Sequence, residues 1–251
     1  MDRVRELTDA VAVELIKLRR SLILLLMVVA PGMIGVLATM FVFTGNTTTE
    51  WPTFAMSNAA IWAFFMLPMT LTAITALLGQ IESGAGSGGG MWTHLGTLPV
   101  RRSTTLIAKH LIALACLVIM SALLIVAVVA AGSIGSLLAP QNALQGELPF
   151  ALLARVLGLM FLASWLMTAI QTGVALWSKN FVTPLVVGIG GTFVCVAATT
   201  AKSGKFFPWL LPVNVLTPDE TRLWWVIGLS VVGGLAVATA VISLLSRRDV
   251  G

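Results

Sequence analysis

The residues whose types could carry out covalent chemistry are one serine and two histidines, with Ser87 as a nucleophile and His94 or His110 as its base. Such a set could hydrolyse a bond within a membrane. However, Ser87 does not lie in a Gly-x-Ser-x-Gly turn, and the sequence contains no His-Glu-x-x-His motif. The sequence therefore predicts that this protein is not an enzyme.

The motifs for nucleotide and metal binding are also missing from the sequence. A phosphate-binding P-loop requires Gly-Lys followed by Ser or Thr, whereas the only Gly-Lys pair, Gly204-Lys205, is followed by Phe206. The two cysteines, Cys116 and Cys195, lie within apolar runs and lack the spacing of metal ligands. We therefore expect no cofactor to bind to this chain.

The composition points to lipid as the surrounding medium. Hydrophobic residues make up 58% of the 251 positions and charged residues 10%, whereas soluble domains average about 45–50% and about 25%. The net charge of +5 comes from short basic clusters beside apolar runs, which is not the pattern of a nucleic-acid-binding surface. We predict an all-α integral membrane protein with no nucleic-acid partner.

Six apolar runs are near or above the roughly 20 residues that an α-helix needs to cross a hydrocarbon core of about 30 Å. We interpret residues 1–251 as a single polytopic domain with six transmembrane helices. The predicted spans cover residues 21–43, 54–78, 106–131, 148–176, 181–201 and 223–245.

Basic residues are distributed unevenly between the two ends of these spans. With the N-terminus in the cytoplasm, only four of the 15 lie on the outer side, namely Arg155, Lys202, Lys205 and Arg222. This asymmetry follows the positive-inside rule and places both termini in the cytoplasm.

Two polar residues inside the spans, Arg155 and Gln171, are candidates for a translocation path, because polar groups at membrane depth are usually functional. Arg155 could instead extend to the membrane interface. The spans lack the carboxylates of a proton- or sodium-driven pump, so the energy source is expected in another subunit. A secondary transporter and a non-transporting membrane scaffold or sensor are the alternative functions.

The N-terminal segment has the pattern of an amphipathic helix. Its apolar residues recur at spacings of three and four, and every charge lies outside the stripe that they form, which consists of Val4, Leu7, Val11, Leu15, Leu18 and Leu22. We predict an interface helix over residues 1–20 on the cytoplasmic surface of the membrane. Val13 and Ile16, on the charged side, could contact a cytoplasmic partner. The alternative is merely a charged start to the first span.

The loop of residues 82–102 is the longest cytoplasmic connection between spans. Met91, Leu95 and Leu98 can share one face of a short helix that Pro99 stops. We predict a short cytoplasmic coupling helix in this loop, and a plain flexible connection is the alternative.

Three segments together resemble the permease subunits of ABC-2 type ABC transporters. They are the start Glu14-Leu15-Ile16-Lys17-Leu18-Arg19-Arg20-Ser21, the loop in which Glu82 is followed by Leu98-Pro99-Val100-Arg101-Arg102 and Lys109, and the terminal Ser246-Arg247-Arg248-Asp249. With the length and the span count, the resemblance covers nearly the whole chain. The compact outer loops are more similar to antibiotic-efflux, bacteriocin- or lantibiotic-immunity and ion-efflux permeases than to lipid and polysaccharide exporters.

The resemblance implies the membrane subunit of a bacterial exporter in the cytoplasmic membrane, which moves an antibiotic, a peptide or another hydrophobic compound. It also implies two cytoplasmic ATPases, which bind ATP and Mg²⁺, and a second permease copy or a related permease. Carried over to this sequence, the interface helix contains Glu14, Lys17, Arg19 and Arg20. The ATPase-coupling segment contains Glu82, Met91, Trp92, Leu95, Leu98, Pro99, Arg101 and Arg102.

Overall fold

The computed structural model describes residues 3–19, 21–45, 48–83, 101–178, 180–201 and 203–247, which contain no β-strand. The described helices are α1 (Arg3–Leu18), α2 (Leu22–Thr44), α3 (Trp51–Ile61), α4 (Leu67–Ser83), α5 (Arg102–Leu138), α6 (Phe150–Ala163), α7 (Trp165–Trp177), α8 (Val182–Ala198), α9 (Leu211–Asn214) and α10 (Glu220–Ser246). A π-helical turn (Trp62–Met66) joins α3 to α4, and 3₁₀ turns lie at Pro140–Asn142 and Gly204–Phe206.

Ser21 separates α1 from the first long apolar helix. Its hydroxyl donates to the carbonyl of Leu18 at 3.0 Å and accepts from the N–H of Ile23 at 3.3 Å. Serine is favoured at this position because its side chain satisfies a backbone group that the helix itself leaves unpaired. The N-terminal segment is thus a helix distinct from the first span, while its location along a membrane surface stays a prediction.

Several helices have the length and composition to cross a membrane. By these criteria four segments of the described chain qualify, Leu22–Thr44, Trp51–Gln80, Arg102–Leu138 and Glu220–Ser246, and α6 with α7 makes a fifth if the pair is one span. Helix α8 has 17 residues, a length of about 26 Å, which is shorter than a hydrocarbon core of about 30 Å. The prediction of a helical membrane protein is confirmed, and the count of six spans stays a prediction.

The fourth predicted span differs from a single continuous helix, because α6 and α7 are bent by 45° at Ser164. The hydroxyl of Ser230 in α10 donates to the carbonyl of Ala163 at 2.7 Å and accepts from the N–H of Leu166 at 3.2 Å. These bonds satisfy backbone groups at the break, which would otherwise be costly in an apolar environment. Sequence periodicity did not reveal this break, because its stabilising partner lies 64 to 67 residues away.

Helices α2 and α5 pack closely along each other through small residues. A Cβ atom added to Gly135 would lie 2.7 Å from Cβ of Val42, and one added to Gly35 would lie 3.3 Å from Cβ of Ala127. Small residues let helix backbones approach in this way inside membranes. The two helices are therefore in close contact in the second half of α5, at Ala127 and Gly135.

The topology is tested by placing single cysteines outside the predicted spans. With both termini in the cytoplasm, cysteines at Asp9 and Asp249 are expected to resist an impermeant thiol reagent in intact cells. Cysteines at Thr48, Gln141 and Ser203 are expected to react, because these three residues are exposed at the opposite ends of the helices.

Gln141 is a better site for this experiment than its neighbour Asn142, which is 8% exposed and donates to the carbonyl of Val42 at 3.2 Å. The native Cys116 and Cys195 are both buried, so background labelling should be low. Labelling of a cysteine at Asp249 from outside would contradict the predicted topology.

Candidate coupling site

The face of α1 that packs on the protein carries two carboxylates. Glu6, Glu14 and Leu18 are 9%, 2% and 6% exposed, and the two carboxylates bond to residues at the start of α5. Val4 and Leu15 from the predicted apolar stripe are exposed instead. The buried face is therefore rotated from the stripe, and the side of the stripe that holds Val4 and Leu15 stays available to lipid.

Glu14 forms a buried ion pair with Lys109 of α5. The Glu14 Oε2 to Lys109 Nζ distance is 3.2 Å, and the two side chains are 2% and 0% exposed. Lys109 Nζ also donates to the carbonyl of Leu78, near the end of α4, at 3.0 Å. Lys17 donates to the other carboxylate oxygen of Glu14 at 2.7 Å. The Lys109 ammonium group therefore joins α1, α4 and α5.

Glu6 holds the other end of α1 against the beginning of α5. Its Oε1 accepts from the backbone N–H of Arg101 at 2.8 Å and from the Thr104 hydroxyl at 3.2 Å. The bond from Arg101 N–H lowers the pKa of the Glu6 carboxyl, with smaller contributions from Thr104 and the Arg101 charge, while partial burial opposes the shift. A lowered pKa means that this contact stabilises the fold near neutral pH and is lost as pH falls through the lowered value.

These contacts involve residues that lie in the sequence on both sides of the connection between α4 and α5. Leu78 precedes the connection, whereas Arg101, Thr104 and Lys109 follow it. Helix α1 bonds to the residues that follow the connection and is linked to Leu78 through Lys109. In the described part of the chain, no group of three or more His, Cys, Asp or Glu side chains could hold a metal ion. The described contacts thus link α1, α4 and α5 through Glu6, Glu14 and Lys109.

Comparison with protein families identifies the group to which these features belong. The family model described as ABC-2 family transporter protein matches residues 10–195, from the middle of α1 to α8. The chain belongs to the ABC-2 transporter family. No curated protein and no solved structure matches the chain. Membership confirms the resemblance at the level of the family. It indicates a permease of an ABC transporter and implies ABC ATPase partners. The immunity or efflux branch stays a prediction.

The predicted ATPase-coupling residues of this ABC-2 family member fall mainly outside the described structure. Residues 84–100 are not described, and they include Met91, Trp92, Leu95, Leu98 and Pro99; the side chain of Glu82 is not described either. Arg101 and Arg102 are described and lie at the N-cap and the first residue of α5. The presence of a coupling helix therefore stays a prediction.

The predicted residues of the interface helix have different environments. Glu14 is buried, Lys17 is 22% exposed and paired with Glu14, and Arg19 is exposed. Arg20 lies outside the described residues. Of this set, Glu14 bonds to Lys109 of α5 and to Lys17, whereas the side chain of Arg19 is exposed.

Arg155 and Gln171, the predicted path residues, do not meet in the structure. Arg155 is exposed on α6, whereas Gln171 in α7 is 1% exposed and its Nε2 donates to the carbonyl of Pro184 in α8 at 2.6 Å. Within this single chain Gln171 is part of the helix packing. A role for either residue in a translocation path stays a prediction.

Sequence reasoning missed Glu6, Thr104 and the role of Lys109. Lys109 was named only as part of the loop that resembles ABC-2 permeases, whereas its side chain is fully buried in the structure. One signal was present in the sequence: Glu6 and Glu14 are eight residues apart, which places both on one face of a helix. A lysine three residues inside an apolar run was the matching signal on α5.

Proposed function

We propose that this ABC-2 family member is the membrane-spanning subunit of an ATP-driven exporter, driven by ATPases that bind at the connection between α4 and α5. The main observation that supports the proposal is that the buried Lys109 Nζ contacts both the Glu14 carboxylate and the Leu78 carbonyl. A chain that binds no nucleotide can be driven only through a surface that contacts the ATP-binding subunit. The Lys109 contact joins α4 and α5, which lie on either side of the proposed ATPase-binding connection and belong to segments of membrane-spanning length.

The mechanism follows from the packing around Lys109. A displacement of the connection moves the end of α4 and the beginning of α5, and α1 moves with them because Glu6 and Glu14 are bonded to α5. Helix α5 transmits the displacement to α2, against which it packs through Gly35 and Gly135. In a pair of permeases, such movements of the two helix bundles would change access to a path between them.

The energy source proposed for the transporter is ATP hydrolysis in two partner ATPases that bind ATP and Mg²⁺. No Asp or Glu lies in α2, α3, α5, α6, α7 or α8, so these helices lack the groups that couple transport to protons or sodium. The apolar character of the spans favours a hydrophobic cargo such as an antibiotic or a hydrophobic peptide. The proposed location is the bacterial cytoplasmic membrane, with both termini inside.

A secondary transporter is the second candidate, and the bend between α6 and α7 favours it. Broken helices at membrane depth are typical of secondary transporters, where freed backbone groups bind substrate or ions. Here, however, the Ser230 hydroxyl bonds to backbone groups on both sides of the break. These backbone groups are consequently already satisfied within the protein.

The proposal predicts that the purified chain hydrolyses no ATP by itself. It is expected to form a complex with an ATPase encoded beside it, and transport into vesicles should require both subunits together with ATP. A variant of the ATPase that lacks its Walker A lysine is the control, because it should still bind this chain but drive no transport. The measurement is phosphate release by the isolated chain and by the complex.

ATP turnover by the isolated chain, after contaminating ATPases have been removed, would contradict the assignment. Uptake driven by a proton or sodium gradient in vesicles without ATPase would favour the secondary transporter instead.

A further inference from the structure

A groove of about 800 Å³ lies between the loop after α8 and the beginning of α10. Its walls come from the end of α8, the Gly204–Phe206 turn, α9 and the first turns of α10. None of the residues assigned to the coupling site lines this groove. It is a separate feature of the molecule.

An amide group in the groove lacks a partner. Asn214 is 7% exposed, and its Oδ1 accepts from Arg222 Nη2 at 2.6 Å. A guanidinium group can only donate, so the amide oxygen must face Arg222 and the NH₂ group must face away from it. Asn214 Nδ2 finds no acceptor among the described residues. A buried donor of this kind is costly to leave unpaired, so it calls for an acceptor oxygen from a ligand.

The charged groups of the groove favour an anion. Lys205 and Arg222 both line it, and both are exposed to an incoming ligand. Asp219 also lines the groove, and its Oδ1 accepts from the N–H groups of Thr221 and Arg222 at 3.0 and 3.2 Å at the start of α10. The two cations outnumber this one carboxylate, and the unpaired Nδ2 of Asn214 adds a hydrogen-bond donor for a ligand.

The apolar part of the groove has aromatic side chains that are exposed at the surface of the protein. Phe206 and Trp225 meet edge to face with ring centroids 6.5 Å apart, and Lys205 Nζ lies 5.1 Å from the Phe206 ring centroid. Trp225 and its neighbour Trp224 are 65% and 62% exposed. Exposed tryptophans of this kind are concentrated where a membrane meets water.

The position of the groove along α10 agrees with a location at the membrane–water interface. At the other end of this helix, Val241 shares a small cavity with Leu106 and His110 of α5, close to Lys109. Arg222 lies 19 residues before Val241, a distance of about 28 Å along the helix. This spacing is close to the thickness of a hydrocarbon core of about 30 Å, so the groove and the coupling site lie at opposite membrane surfaces.

From these observations we propose that the groove is a binding site for an anionic phospholipid. The phosphate oxygens accept hydrogen bonds from Asn214 Nδ2, Arg222 and Lys205, and the acyl chains lie along Trp225 and Leu229 toward the membrane. A soluble anion such as free phosphate would use the same donors, but it would leave the aromatic wall without a partner. The lipid is therefore the ligand that uses both parts of the groove.

The experiment measures binding of phosphatidylglycerol to the full chain in detergent, by counting bound lipids in native mass spectra over a titration. Phosphatidylcholine and glycerol phosphate are the comparison ligands. Arg222→Gln and Asn214→Asp are the test variants, and Arg247→Gln is the matched control, because it makes the same charge change at the exposed far end of α10. Asn214→Asp keeps the size of the side chain and its bond to Arg222, so the fold is retained while a negative charge enters the groove.

The proposal expects one phosphatidylglycerol bound in preference to phosphatidylcholine. Arg222→Gln should weaken this binding about tenfold, Asn214→Asp should abolish the preference, and Arg247→Gln should have no effect. Equal binding of the two lipids would overturn the proposal, and so would an equal loss in Arg247→Gln. Glycerol phosphate binding as tightly as phosphatidylglycerol would identify a soluble-anion site and would also overturn it.

Discussion

Replacing Lys109 by Met is expected to weaken the packing of α1 on α5 by about 3 kcal/mol. The variant leaves the carboxylate of Glu14, which is 2% exposed, without the ammonium group that lies 3.2 Å away. Removing one partner of a buried ion pair typically costs about 3–5 kcal/mol, and the remaining bond from Lys17 places this case at the lower end. The detached population of α1 should rise roughly a hundredfold, which hydrogen exchange of the α1 amides measures.

The double variant Glu14→Leu with Lys109→Met tests the assigned cause. An apolar pair of similar volume should restore most of the packing, because no uncompensated charge is then buried. Arg5→Met is the control on the same helix, since Arg5 is exposed and its loss should change stability by less than about 0.5 kcal/mol. Equal exchange in Lys109→Met and Arg5→Met would show that the ion pair does not hold α1.

Replacing Trp92 and Leu95 together by Ala is expected to weaken ATPase binding about thirtyfold, a cost of about 2 kcal/mol. Both residues belong to the predicted coupling helix, which lies outside the described residues. An apolar helix face bound in a groove depends on a few such anchors, and an aromatic anchor contributes most. Affinity for the partner ATPase and ATP-dependent transport are the two measurements.

Membrane insertion of the double alanine variant should be normal, because neither residue lies in a predicted span. Lys179→Ala, in the other cytoplasmic loop, is the comparison. If the double variant bound its ATPase and transported normally while Lys179→Ala abolished both, the coupling site would be assigned to the wrong loop.

Lys109→Met and the double alanine variant of Trp92 and Leu95 would separate binding of the ATPase from transmission of its movement to the helices. Loss of Trp92 and Leu95 should reduce ATPase affinity, whereas Lys109→Met should leave affinity nearly unchanged and reduce the transport obtained per ATP hydrolysed. The reason is that Lys109 is buried and bonds to helices of its own chain. A parallel fall in affinity for both variants would mean that docking itself requires α1 in place.

Much of the fold could be predicted from the sequence. Each long apolar run corresponds to a helix or a helix pair, and the separate helix before the first span is present as α1. Such features depend on residues that are close in the chain, because helix length, apolar composition and caps such as Ser21 are local properties. The bend at Ser164 was missed, since it is stabilised by Ser230 from another helix.

The candidate site was predicted only in part. Glu14 was identified as a charged residue of the interface helix outside its apolar stripe, and its burial became visible only beside Lys109. An amphipathic pattern shows which residues are apolar, and it does not show where a carboxylate finds a cation 95 residues along the chain. Gln171 was singled out because it is polar within a span, and the structure pairs it with the carbonyl of Pro184.

The sequence by itself determined the medium, the class of architecture and, through its resemblance to ABC-2 permeases, the family. These follow from composition and from short segments, because an excess of apolar residues requires lipid wherever the helices are placed. Only the tertiary structure decided which polar groups meet. The pairs Glu14 with Lys109, Ser230 with Ala163 and Arg222 with Asn214 form because buried polar groups require partners, and packing determines which partners are within reach.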